Sequence, residues 1–207
     1  MLQIDNVNWE VSRRRHEAWW HGEVIDRVLL QVTAPKKDAP AGAPPPAARD
    51  YEQQWMDADL RLQWFEWNMS RTYYAGDAFP LFDPELGPGT LSTFIGARPE
   101  FASNTVWYHP CVDDIPNAKP PTFDDDNVYW KFVKELSTKS VERLQRRALV
   151  AFPDLIENLD TIASLFGTNE LLMAMIDYPE KVHEFQRAIL PLYLQHHGRL
   201  YDIIKDE

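Results

Sequence analysis

Three short apolar runs, each bounded by turn-forming residues and each handing over to an amphipathic helix, limit the folds open to this chain of 207 residues. The first, RVLLQVTA, is aliphatic and β-branched without helical period, so Val28 to Thr33 reads as a buried strand. The second, DAFPLFDP, gives a strand from Ala78 to Phe82. Pro80 confines that strand to an edge or a bulge, because proline has no N–H to give to a central ladder. The third is ALVAFPD, residues 148–154. The helices between them are legible from spacing. Leu62, Phe65, Met69 and Tyr73 recur at threes and fours and predict a helix over 57–73. Others are expected over 8–21, over 127–146, in NLDTIASLFG, in TNELLMAMIDYP, and from Pro179 onward. Along the last of these Val182, Phe185, Ile189, Leu192, His196, Leu200 and Ile203 keep one stripe. Helix alternating with strand predicts an α/β fold with parallel strands and outer helices. Three such strands are too few to close a barrel of eight.

Between the first strand and the second helix lies a Pro/Ala-rich loop at 35–50, with five prolines from Pro35 to Pro46. Proline fixes φ and lacks a donor, so this stretch is neither helix nor ladder strand. In a βα architecture it leaves the strand end where active sites gather. The short run GPGTLSTFIG, residues 87–96, reads as a brief helix, and TVWYHP, residues 105–110, as a small strand in an excursion.

Charge excludes several partners. The chain carries a formal net charge of -11, and its one basic run, Arg13 to Arg15, is too short for a nucleic-acid face. No apolar stretch approaches the ~20 residues needed to span a bilayer, and no secretory signal is recognisable, so no membrane partner and a cytoplasmic location are expected. The single cysteine, Cys111, allows neither an internal disulfide nor a cysteine-rich zinc site. His16 and His21 are five apart, and His196 and His197 are adjacent. Neither pair can clamp one metal from a helix, so no metal site is expected within the chain.

Candidate site residues follow from position. Asp83 and Glu85 end the second strand, where carboxylates bind a substrate amine, act as a general base, or cap the next helix. Asp154 holds the equivalent place after the third strand, with Glu157 one turn further on. Trp107 and His109 lie in the excursion that could cover the mouth of the site. Asp83 and Asp154 are the catalytic candidates; Glu85, Trp107, His109 and Glu157 are the substrate-binding ones.

Taken in order, several stretches resemble the uroporphyrinogen-decarboxylase-like superfamily, in particular its methyltransferase-like branch. RRRHEAWWHGEVIDRVLL resembles its opening helix, Gly-Glu turn, Asp-Arg and first barrel strand. GDAFPLFDPELGPGTLSTFIG resembles its second βα region, and ALVAFPDLIENLDTIASLFGTNELLMAMIDYPEKVHEF its third. The resemblance implies a distorted (β/α)8 TIM barrel, of which residues 1–207 would be a single truncated domain covering roughly the N-terminal half. It implies an enzyme that decarboxylates a porphyrinogen, and so is a lyase, or one that moves methyl groups between a corrinoid and a thiol through zinc. The zinc ligands of the methyltransferases, a His-x-Cys and a later Cys, would lie in the missing half. Zinc and corrinoid thus belong to a full-length protein and no cofactor to this chain.

The decarboxylase signatures fit poorly. The family's Arg-Gln-Ala-Gly-Arg motif holds substrate carboxylates by bidentate guanidinium contacts, but QVTAPKKDAP supplies only Lys36 and Lys37. The family aspartate falls one residue away from Asp83, which on a strand means the other face. The family tyrosine maps near Leu165, which has no hydroxyl. The expectation is therefore part of a corrinoid-linked methyltransferase-type enzyme acting on a small methylated substrate or a methyl-corrinoid, with a corrinoid protein as partner. The alternative is a non-catalytic half-barrel that self-associates or assembles with a C-terminal half chain, since open strand edges invite pairing.

Overall fold

The computed structural model describes residues 7–155 and 158–205. The fold is mixed α/β, with roughly half of the chain helical. Helix α1 (Trp9–Trp20) opens on Asn8, whose side chain accepts the Val11 N–H. Strand β1 (Gln31–Pro35) follows, then the proline-rich loop and two helices, α2 (Tyr51–Met56) and α3 (Ala58–Arg71). Asp50 and Asp57 cap these helices by accepting from Gln53 N–H at 2.7 Å and Leu60 N–H at 3.0 Å. Asp57 therefore opens the helix expected over 57–73, which ends at Arg71 rather than Tyr73, and α2 is an added element before it.

Strand β2 (Thr72–Gly76) leaves α3 directly and pairs antiparallel with β1, from Gln31↔Gly76 to Pro35↔Thr72. Parallel pairing of the first strand is thus not observed, and neither is its burial, since all five β1 residues are exposed. The physical reason lies at the base of the excursion. Lys36 N–H donates to Arg71 O at 2.8 Å, so residues 36–71 form one closed excursion that brings the chain back alongside itself in the reverse direction. The run TYYAG, aromatic and β-branched, has the composition of a strand and stops at Gly76. Gly76 has φ +68°, and a Cβ there would collide with Leu30 O, which accepts the Asp77 N–H at 2.7 Å.

Strands β3 (Leu81–Phe82) and β6 (Leu149–Val150) pair in parallel. The expected α/β element is present here, shorter than its sequence runs. Pro80 lies just outside β3 and takes part only as an acceptor, from Leu149 N–H at 3.0 Å. Between these strands come α4 (Thr90–Phe94), the antiparallel pair β4 (Arg98–Phe101) and β5 (Val106–His109), a 3-10 turn at Ile115–Asn117, and α5 (Val128–Leu144). After β6, α6 (Leu159–Phe166), α7 (Thr168–Asp177) and α8 (Pro179–Ile204) complete the described chain. The three strand pairs form separate two-stranded sheets, and no closed barrel is seen among the described residues.

Two apolar clusters hold these elements. The larger joins α4 to α8 around Leu91, Phe94, Trp130, Ile162, Phe166, Phe185 and Ile189. The smaller packs α3 and α5 against the parallel pair through Leu62, Phe82, Leu136, Leu144 and Val150, and so fixes the strand ends that carry the candidate site. No helix among the described residues is long and apolar enough to cross a membrane.

Candidate functional site at the ends of the parallel strands

Phe82 anchors β3 in the smaller core, so the next residues, Asp83, Pro84 and Glu85, are delivered to the strand's C-terminal end. The chain leaving β6 does the same for Asp154. The two loops then run together, and Gly89 and Leu155 form an isolated antiparallel bridge. Asp83, Glu85 and Asp154 therefore converge, close enough for the charge on Asp154 to act on both of the other acids.

Arg61 of α3 lies under this turn. Its guanidinium donates to Asp83 O at 2.8 Å, Glu85 O at 2.9 Å and Trp55 O at 3.2 Å. Being surrounded by protein, it titrates down at about 10, and at neutral pH it is still a cation. Desolvation raises Asp83 above the ordinary carboxylate range. The Glu85 N–H at 3.0 Å and the charge of Arg61 oppose that rise, and Asp154 adds to it. Glu85 is raised by burial first, then by its like-charged neighbours Asp83 and Asp154. Two acids that hold protons more tightly than usual, beside a fixed cation, make a set suited to proton transfer or to binding a donor.

Tyr108 holds the same turn from the other side. Its hydroxyl donates to Leu86 O at 2.8 Å and accepts the Gly89 N–H at 2.8 Å, and burial drives its ionisation well above the ordinary range. The approach is close. A Cβ at Gly89 would meet the Tyr108 ring at 2.7 Å, and one at Gly87 would meet Val106 and the Tyr108 hydroxyl at 2.8 Å.

Beside Asp83 opens a cavity of about 980 Å³ between the end of the proline-rich loop, α2 and α3. Tyr51, Trp64, Phe65 and Phe82 give it aromatic walls, and Arg49, Asp50, Arg61 and Asp83 line it with charge. The proline-rich loop is tied down as one wall. Trp64 Nε1 donates to Pro46 O at 3.1 Å, and Arg71, stacked 4.1 Å over the Trp67 ring, donates to Pro40 O at 2.7 Å. The loop leaves an antiparallel strand rather than the expected parallel one, and its Ala47 and Ala48 line the cavity with Phe82 and Asp83 at the end of β3.

Of the residues expected from sequence, the structure brings together Asp83, Glu85 and Asp154. It sends Trp107 and His109 elsewhere. Side chains alternate along β5, so Val106 and Tyr108 face the turn at 87–89 while Trp107 is 65% exposed and His109 pairs with Glu100 at 2.5 Å. Glu157 lies outside the described residues. Reading from sequence passed over Tyr108, although its neighbours were singled out; a period of two along TVWYHP was the signal that separates 106 and 108 from 107 and 109. It also passes over Arg61, which nothing in the local sequence marks, and over Trp64. Among the described residues no three His, Cys, Asp or Glu side chains are grouped to hold a metal ion.

Comparison of the chain with models of known families, with curated proteins and with solved structures found no match.

Proposed function

We propose that this chain is part of a small-molecule enzyme of the uroporphyrinogen-decarboxylase-like kind, on its methyltransferase-like side, with Asp83 and Asp154 as the acid–base pair. The observation that carries this reading is the meeting of Asp83, Glu85 and Asp154 on the loops that follow two adjacent parallel strands. In (β/α)8 enzymes, that end of the strands is where the chemistry sits. The cavity beside Asp83 serves as the substrate pocket, and its size falls within the range of small-molecule sites. On this reading β3 and β6 are two strands of a barrel whose remaining strands these residues do not supply. The antiparallel β1–β2 pair stands outside that barrel, so the parallel pair and its loops are its whole structural support. No three His, Cys, Asp or Glu among the described residues are grouped to hold zinc. Zinc and a corrinoid protein therefore enter only as contributions from outside the described residues, and the role left to this chain is to bind substrate and to hold or move a proton at Asp83 and Asp154.

The test mixes the purified protein with a C-terminal half chain carrying a His-x-Cys and a later Cys, supplies methylcobalamin, zinc and a small thiol, and follows loss of the methyl–cobalt absorbance. Transfer by the mixture above the rate of the half chain alone, lowered about 100-fold in Asp83→Asn, is the expected result. Transfer no faster than with the half chain alone, or equal in the variant, removes the catalytic reading.

A second reading, an assembly module without catalysis, is favoured by one observation. Strand β1 is exposed along its length, and Val24, Ile25, Val28, Leu30 and Val32 beside and within it are 44–67% exposed. Sedimentation over a range of concentrations tests it: a concentration-independent monomer rules out self-association, and retention of the monomer in the presence of a C-terminal half chain rules out the other partner.

A further inference from the structure

We propose that the cavity between α2, α3 and the end of β3 binds an organic cation, namely a protonated or quaternary amine carrying apolar substituents. The inference rests on the reading of this cavity as the substrate pocket and adds the chemical class of its ligand.

The polar groups of the cavity decide the class. Arg61 already donates to three backbone carbonyls and has its fork turned to the protein. Asp50 accepts from Gln53 N–H and from Arg49 Nε, and Arg49 stands at the rim with its side chain 77% exposed. Gln54 donates to Ser103 O at 2.8 Å. Asp83 is left. One of its oxygens accepts the Glu85 N–H, and the other has no protein donor among the described residues. A carboxylate offers about four acceptor sites, so most of its capacity faces the cavity.

The nearby groups point the same way. Glu85 and Asp154 both act on Asp83, and the guanidinium of Arg61, the cation that acts on it, is engaged by backbone carbonyls. The walls complete the match. Tyr51, Trp64, Phe65 and Phe82 all belong to the lining, and the negative faces of aromatic rings attract cations. An anion would meet the carboxylates first and find the one buried guanidinium engaged. A neutral apolar ligand would gain the walls but leave Asp83 desolvated without a donor.

Isothermal titration calorimetry with three probes of one shape tests this: benzyltrimethylammonium, its neutral isostere with carbon in place of nitrogen, and phenylacetate. The cation is expected to bind saturably, the neutral isostere about tenfold more weakly or less, and the anion not at all. Asp83→Asn should weaken the cation about tenfold. Should that variant fail to fold, Asn68→Trp supplies an independent check, because Asn68 is an exposed residue of α3 whose enlargement takes up part of the cavity and leaves every carboxylate in place. It should weaken cation binding. Equal binding of the isostere, preferential binding of phenylacetate, full cation affinity in either folded variant, or no binding of any probe overturns the proposal. The outcomes separate from the catalytic test. Cation binding without methyl transfer removes only the methyltransferase reading, and methyl transfer without cation binding removes only the ligand class.

Discussion

His196 gives the most quantitative test of how the larger core is built. It lies on the buried stripe of α8, completely shielded, with ring centroids of Trp130 at 4.7 Å, Phe123 at 4.8 Å and Phe94 at 5.1 Å. Its Nδ1 sits 2.7 Å from Leu192 O, a carbonyl that can only accept, so Nδ1 carries the proton of the neutral ring and Nε2 is bare, with no partner. Protonation would place a donor at Nε2 among aromatic rings, near the cations Arg199 and Lys134, with only Asp125 to oppose them. Desolvation accordingly lowers His196 from 6.5 to about 4. A group lowered on folding adds stability that is complete above its unfolded value and disappears as pH falls through the folded one. Between 6.5 and about 4 the total at stake is about 3 kcal/mol, and by pH ~4.5 about 2.5 kcal/mol of it should be gone. Against a typical stability of about 5–15 kcal/mol this is a large share. His196→Phe keeps ring volume in an aromatic cage and removes the titration. Urea unfolding followed by tryptophan fluorescence at about pH 7.5 and about pH 4.5 should show wild type losing about 2.5 kcal/mol more than the variant. The other histidines are common to both proteins and cancel in that difference. Equal losses would mean that His196 is solvated or partnered in solution, and the account of the aromatic cage would be wrong.

Asp77→Asn should destabilise by about 3 kcal/mol, since it strips the charge partner from Arg15 at 3.0 Å and Arg27 at 2.6 Å around a fully buried carboxylate; thermal unfolding measures it. Burial alone would raise Asp77, but Arg27, the Leu30 N–H and Arg15 outweigh it and hold it below 3.8, so this stability is present above that value and lost as pH falls below it, a loss Asp77→Asn should not show. Tyr108→Phe leaves the Gly89 N–H without its acceptor and should cost about 1–2 kcal/mol in denaturant unfolding, with faster hydrogen exchange at Gly89. Asp154→Asn removes a like charge from Asp83 and Glu85 and should lower the titration of both, as read by carboxyl carbon NMR.

The helical part of this fold was legible because it rests on local spacing. The stripe from Val182 to Leu200 is buried as its period requires, and α5 begins beside Asn127, whose side chain accepts the Tyr129 and Trp130 N–H. Strand partnership was not legible, because it depends on where a long excursion returns. Nothing local in QVTAP says that it meets TYYAG, and the runs at 78–82 and 148–154 reduce to two paired residues each. The acids of the site could be read since strand ends place them, whereas Arg61 acts through backbone carbonyls that have no signature in sequence.

The stretches around Asp26 and Asp77 have a physical role that does not depend on any activity. Asp26-Arg27 and Gly76-Asp77 lie about fifty residues apart in sequence, yet Arg27 bonds Asp77, Arg15 bridges Asp77 and Asp26, and Ser12 donates to Asp77 O at 3.1 Å. Gly76 has to be glycine for Leu30 O to reach the Asp77 N–H, and Asp77 Oδ2 accepts the Leu30 N–H in return. One buried carboxylate thus fixes α1, the approach to β1 and the exit from β2 against each other. It does so away from the cavity, whose lining includes none of these residues. These residues hold a frame together, so substituting Asp77 should cost stability and leave cation binding by the folded protein unchanged, while substituting Asp83 should do the reverse. A chain in which both substitutions impaired binding in proportion to lost stability would show the cavity to be a by-product of folding rather than a site.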